Sequence, residues 1–241
     1  MSDKQAVQSV WTRPRKKKEQ PALSAGQIVA EAIALLDADG IEQLSMRKLG
    51  ARLNAGATSL YRHVANKDEL IELVVDEVYG ELEVPAGGGR EGWREAATAT
   101  AASLRAMMLR HPWVGAVLGQ VGLKSLGPNL SRMSTRFMGV FQDAGFPAAE
   151  ADQVMNTLTA YVLGMATSEA AWLSLIARSG MTEREWISDV LPGALEASRE
   201  HPAINEALLA NSSDPSAIRD ETFAYGLARV LDGFQVRLDQ L

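Results

Sequence analysis

Residues 44–70, LSMRKLGARLNAGATSLYRHVANKDEL, carry two short helical patterns joined by a tight glycine-containing turn, then a third pattern with its own start signal. So little chain separates the first two helices that they must pack as a crossed pair. Leu49, Leu53, Leu60 and Val64 fall where they form the inner face that locks it. The outer face then shows Ala57, Thr58, Ser59, Tyr61, Arg62 and His63, and Lys67 opens the next helix, where a cation and a helix N-terminus together attract a phosphate. Five basic side chains lie in the block against two acids at its far end. Residues 1–67 hold 11 Lys/Arg and 6 Asp/Glu, whereas the remainder holds 13 and 24, so a net charge of −6 conceals a basic end. A uniform acidic sphere would be repelled by DNA; a rigid helix pair with hydroxyls and cations on its outer face, set in that basic end, has the chemistry to meet it.

The flanking chain reads as helix throughout, and the fold class expected is all-α. Ser24 with Gln27 makes a capping box, Leu23 and Ile28 stand at staple positions, and Ile28, Ala32, Leu35 and Leu36 form a buried stripe that Gly40 ends as a left-handed cap. Ser45 caps the second helix, Gly56 allows the sharp turn, and residues 58–64 give a third helix of about two turns. Asn66, with Glu69 as box partner, starts a fourth whose apolar face is Ile71, Val74, Val75, Val78 and Leu82. Pro85 and three glycines at 87–89 mark a boundary. Beyond it helices are expected over 93–110 and 130–141, over 148–177 behind Pro147, from Thr182 with Glu185, and from Asp214-Pro215. The domain expectation is a basic arm at 1–22, a helix-turn-helix domain at 23–84 and a helical body at 90–241.

Several function classes drop out on composition. The chain of 241 residues is 46% hydrophobic, enough to bury a core. It contains no cysteine, which excludes disulfides and thiolate metal sites and fits a cytoplasmic setting. No apolar run of about 18 residues stands out, so no membrane partner is expected. A phosphate-binding glycine loop with its lysine, a GxSxG motif and a cysteine nucleophile are all missing, so an enzyme is not expected. Of three histidines, His63 belongs to the helix pair, His111 and His201 each precede proline, and no spacing suits a metal, so neither metal nor cofactor is expected.

The block RKLGARL…TSLYRHVANKDEL, with IVAEAIALLDADGIEQLSM before it, resembles the N-terminal domain of the TetR (tetracycline-repressor) family of one-component regulators over about residues 24–83. HPWV, LGPNLSRM, DAGF and YVLG, within 95–178, are similar to the ligand domain of the subfamily that includes the tetracycline repressor. The resemblance implies a repressor that binds a palindromic operator in double-stranded DNA as a homodimer and is released by a small effector. Arg47 matches a residue that reads the groove, and Thr58, Ser59, Tyr61 and His63 match recognition-helix contacts. Lys67 matches a phosphate-holding lysine. Ala57 stands where the tetracycline repressor carries a base-reading glutamine and offers only a methyl, so a different operator is expected. Helices like 148–177 and 215–239 imply a four-helix dimer interface, expected here from Val154, Leu158, Tyr161, Phe223, Leu227, Leu231 and Phe234. No histidine occurs over about 115–125, which disfavours a metal-bound tetracycline as effector.

The body is rich in Met and aromatics, a composition that suits plastic apolar pockets. Met108, Trp113, Phe137, Phe141, Met165 and Trp172 are the pocket candidates, and an apolar or aromatic effector is expected. Glu169 is the one charge on the apolar stripe of 148–177, either an edge carboxylate or a polar anchor. The rival readings are a helical interaction protein that binds nucleic acid loosely through its basic arm, and an activator of the same family.

Overall fold

The computed structural model describes residues 23–121, 127–210 and 214–241; the basic arm expected at 1–22 lies outside them. Among the described residues there are eleven α-helices and no strand.

Helix α1 (Ala25–Asp39) begins with the expected capping box. The Gln27 backbone N–H donates to Ser24 Oγ, and the Ser24 N–H donates to Gln27 Oε1. It buries Ile28, Ala32, Leu35 and Leu36. Gly40 ends it at φ 78°, but with ψ 173°, an extended glycine conformation and not the left-handed helical one. A single 3₁₀ turn (Ile41–Gln43) leads to α2 (Met46–Arg52) and α3 (Ala57–Leu60). Helix α4 (Lys67–Tyr79) starts at Asn66, whose side chain accepts from the Glu69 N–H. The reciprocal bond of the expected box is displaced by one residue, because the Glu69 carboxylate takes the Ala65 N–H and not that of Asn66. Its face of Leu70, Ile71, Val74, Val75 and Val78 packs on α1 and on the body.

Helix α5 (Gly89–Arg110) starts four residues before the expected position. Gly88 and Gly89 both have positive φ, 65° and 67°, where the helix begins, a conformation that glycine takes without strain. Two helices that the sequence left unassigned follow or intervene, α6 (Val114–Val121) and α10 (Pro202–Ala210), with α7 (Pro128–Ala144), α8 (Ala148–Ser179), α9 (Glu183–Ala197) and α11 (Pro215–Leu238) near their expected places. Helices α5, α7 and α8 pack on one another and α11 closes over α8. Their junction is aromatic. Phe141 lies 5.2 Å from Phe137, 6.2 Å from Trp93 and 6.4 Å from Phe234 between ring centroids, all tilted or edge-on, the geometry that aligns ring edges with ring faces.

Helix α8 contains an 18-residue window of mean hydropathy 1.3, long and apolar enough on composition to cross a membrane, which the sequence reading overlooked. Here it is the spine of the body, with Ala151, Val154, Leu158, Val162, Ala166 and Ala170 buried against its neighbours.

Candidate nucleic-acid interface and ligand chamber

The α2–α3 pair is locked from inside. Leu49, Leu60 and Val64 are buried and Leu53 is half-buried. Gly50 is required by contact: a Cβ there would stand 2.7 Å from the Ala55 carbonyl oxygen, and the Gly50 carbonyl accepts from the Ala55 N–H at 2.8 Å. The residue that turns the chain is Asn54, at φ 50°, and not Gly56, whose φ is not positive. Asparagine tolerates this left-handed region better than most side chains. Helix α3 is one turn, shorter than expected. The Leu60 carbonyl accepts from both His63 N and Val64 N, so the chain turns out of the helix in time to present Asn66 as the next cap.

That geometry leaves Arg47, Thr58, Tyr61, Arg62, His63 and Lys67 exposed along one module, with Tyr61 51% accessible despite its bulk, and Ser59 half-buried. Ala57 opens α3, and its side chain lies outside the described residues. The five basic side chains divide into two groups. Lys48 pairs with Asp39 at 3.0 Å and Arg52 pairs with Glu31, both tying α2 to α1. Arg47, Arg62 and Lys67 have no acidic partner among the described residues. Cations left unpaired beside exposed hydroxyls and an exposed tyrosine are what a phosphate backbone engages.

In the body, two cavities of about 410 and 500 Å³ share a wall made of Glu169, Arg219 and Phe223. The first is lined by Met165, Trp172, Ile187 and Ile218 with Glu183; the second by Arg105, Leu109, Leu173 and Asp220. Arg105 donates through Nε and Nη2 to the two oxygens of Glu169, at 2.7 Å each, and lies 2.8 Å from Asp220. Its guanidinium also sits 4.8 Å above the Phe223 ring. The hydrogen bond to Glu169 is the main reason its pKa is raised, against the opposing effect of burial. Arg219 donates to Glu169 at 3.2 Å and to Glu183, and the Trp172 indole N–H donates to Glu183 at 2.6 Å. Glu169 is therefore an internal anchor joining α5, α8 and α11, not an edge carboxylate reaching water.

Of the six pocket candidates, Met165 and Trp172 line a cavity. Met108, Trp113, Phe137 and Phe141 do not: each is at most 4% exposed, because the body needs their volume in its core. Arg105, Glu183, Arg219 and Asp220 line the cavities and were missed, since isolated charges on separate helices carry no sequence signal that they converge.

Residues 85–238 match the family described as tetracyclin repressor-like, C-terminal domain, and residues 28–74 match bacterial regulatory proteins, tetR family. The chain belongs to the TetR family. It is similar to an HTH-type transcriptional regulator of Saccharopolyspora erythraea, at 40% identity over 68% of this chain and 69% of that protein. It is also 33% identical to the HTH-type transcriptional repressor DrrR1 of Streptomyces coeruleorubidus, over 91% and 80% of the two chains. Among solved structures it resembles the Streptomyces coelicolor TetR family protein ActR in complex with actinorhodin, with TM-score 0.69 and 28% identity over 90% of this chain and 98% of ActR. It is a TetR-family transcriptional regulator.

In this TetR-family chain the residues expected at a dimer interface are used within the protomer. Leu158, Leu227 and Leu231 are at most 4% exposed in a single chain, Val154 and Phe223 are also buried, and Tyr161 and Phe234 are half-buried. The Tyr161 hydroxyl donates to the Phe223 carbonyl at 2.7 Å, joining α8 to α11. The strongest apolar stripes of α8 and α11 meet each other in the protomer's own core.

The DNA-facing module and the body meet at a polar joint. His111, 6% exposed, places Nδ1 2.7 Å from Asp37 of α1 and Nε2 3.2 Å from Glu81 beyond α4. The Trp113 indole N–H donates to the same Asp37 oxygen at 2.7 Å. His111 is the C-cap of α5, and its ring reaches carboxylates on either side.

Proposed function

We propose that the chain is a ligand-released repressor built in two parts, an operator-reading module at 23–84 and an effector-sensing, dimerising body at 90–241. The observation that carries it is the reach of α4. Its first residue, Lys67, stands beside the exposed helix pair, and its later turns pack on α7 of the body. Any rearrangement of the body that moves α7 acts on the helix carrying Lys67.

Two such modules, related by a two-fold axis, present recognition helices about 34–36 Å apart, one turn of duplex, and so select a palindromic operator in double-stranded DNA. Arg47, Thr58, Ser59, Tyr61, Arg62 and His63 meet bases and phosphates and Lys67 holds a phosphate. The outward faces of α8 and α11 supply the homodimer surface. On α8 that face is small, with Ala160, Gly164, Thr167 and Ala171 exposed, and on α11 it carries Tyr225 and Val236, 67% and 61% accessible. The effector is a small aromatic molecule held in the paired cavities, where Trp172 and Phe223 offer ring faces. It releases the operator by binding the spread conformation more tightly, and a difference of about 3–5 kcal/mol is sufficient. The protein acts in the bacterial cytoplasm, without cofactor or catalysis.

The test is retention of sheared genomic DNA by the purified protein at physiological salt, followed by sequencing. A few enriched palindromic sites are expected. Uniform retention that collapses with salt would replace this reading with that of a helical protein binding phosphate loosely.

A further inference from the structure

The two cavities are lined by five ionised groups, and their balance is uneven. Arg105 and Arg219 face Glu169, Glu183 and Asp220, which leaves one negative charge in excess. The surrounding protein reinforces it, since residues 68–241 hold 13 Lys/Arg against 24 Asp/Glu. Within the network the carboxylates differ. Both oxygens of Glu169 are engaged by the two arginines. Glu183 uses one oxygen, Oε1, for both Trp172 and Arg219, and among the described residues nothing donates to Oε2. Beside it stand the ring of Trp172, which meets Trp186 edge-on at 6.3 Å, and the side chains of Met165, Ile187 and Ile218.

The geometry points to an effector that is an aromatic cation, a planar ring system bearing a protonated amine, with the ammonium on Glu183 and the rings against Trp172. This rests on the paired cavities being the effector site and adds the sign of the ligand's charge. An incoming ammonium neutralises the excess charge and finds an acceptor with spare capacity. An incoming carboxylate would have to compete with Glu169 and Glu183 for the same two arginines and would leave the chamber two charges negative. Positive charge also suits the faces of Trp172 and Phe223, whose π-clouds attract cations, as Arg105 over Phe223 already shows. A cavity of about 410 Å³ is of the size that takes a drug-sized aromatic.

The experiment compares three probes of one shape on the full chain: 9-anthracenemethylamine, 9-anthracenemethanol and anthracene-9-carboxylate. Binding is read by energy transfer from tryptophan to anthracene. The amine should bind at least tenfold more tightly than the alcohol, and the carboxylate more weakly than both. In Glu183→Gln the amine's advantage over the alcohol should fall to within about twofold. Rising salt should erode amine binding in the wild type alone. Because the three-probe comparison in the wild type stands by itself, the assignment does not depend on how the variant folds. Equal binding of amine and alcohol, or tightest binding by the carboxylate, overturns the cationic assignment while leaving the chamber as the effector site. No energy transfer with any probe overturns the assignment together with the reading of the cavities on which it rests.

Discussion

The Asp76 carboxylate of α4 accepts the backbone N–H of Leu130 at 2.9 Å and that of Asn129 at 3.1 Å, and so caps α7 from another helix. Helix α7 has no cap of its own, because Gly127 occupies the N-cap position and has no side chain. Gly127 is also the residue that lets Asp76 in, since a Cβ there would collide with the carboxyl group. A helix N-terminus exposes unpaired N–H groups and positive partial charge, which a carboxylate satisfies on both counts. The bond is a physical link between the helix that carries Lys67 and the body that holds the effector.

Asp76→Ala should therefore cost about 1 kcal/mol of stability, the usual value of a lost cap. The loss should be local: amide exchange at Asn129 and Leu130 should quicken by roughly tenfold. Unchanged protection at those two amides, measured by hydrogen exchange, would show that the cap does not hold α7 to α4.

The exposed face of the helix pair leads to a second expectation. Arg47→Ala and Tyr61→Ala each remove an exposed side chain, so helicity should be unchanged and stability should stay within about 0.5 kcal/mol of wild type. Operator affinity should fall by at least about fivefold in each, as each loses contacts worth about 1–3 kcal/mol. Lys48→Ala should behave differently, since Lys48 is paired with Asp39, and its loss should cost less affinity than that of Arg47. Fluorescence anisotropy on a labelled operator checks all three, and equal losses for Arg47 and Lys48 would break the distinction between bound and spare cations.

Local signals explain what was legible in the sequence. Ser24 with Gln27, Thr182 with Glu185, Asn66 and Asp214 all cap the helices they were expected to cap, because a cap is a contact between near neighbours in the chain. The inner face of the helix pair was legible for the same reason. Convergence of distant residues was not. Arg105, Glu169 and Arg219 are 50 residues or more apart, and only Glu169, a charge on an apolar stripe, announced itself. The Asp76–Leu130 bond spans 54 positions and joins two helices that look unrelated in sequence. Periodicity reports that a face is buried, not whether a partner chain or the same chain buries it, and Leu158, Leu227 and Leu231 are buried within their own protomer.

The two faces of α8 and α11 can be separated by mutation. Gly164 has open space beside its Cα in the single chain, so Gly164→Arg meets nothing within the protomer. It should remain folded and run as a monomer in sedimentation velocity, as should Tyr225→Glu. Leu231 is 1% exposed. Leu231→Ala should cost about 2–5 kcal/mol through the cavity it leaves, at any protein concentration. A Gly164→Arg protein that still sediments as a dimer would place the interface away from this face.

The joint at Glu81 should be sensitive to acid. Burial pushes the Glu81 carboxyl up, but hydrogen bonds from Arg110 and His111 outweigh it and hold the group below its ordinary 4.5. A carboxyl whose pKa is lower folded than unfolded adds stability above the unfolded value, and that stability is lost as pH falls through the folded one. The contribution is complete at neutral pH and begins to be lost as the pH falls below about 4.5. Arg110 donates to Glu81 at 2.7 Å, so Arg110→Ala should weaken the protein at pH 7 by roughly 0.5 kcal/mol, a small value because both side chains are largely solvated. Below 4.5 the difference between variant and wild type should shrink steadily as the pH falls, since protonation of Glu81 removes the charge that distinguishes them. Urea unfolding at pH 7, 5, 4 and 3 checks this. A constant difference across that range would mean that Arg110 acts through packing and not through the Glu81 charge.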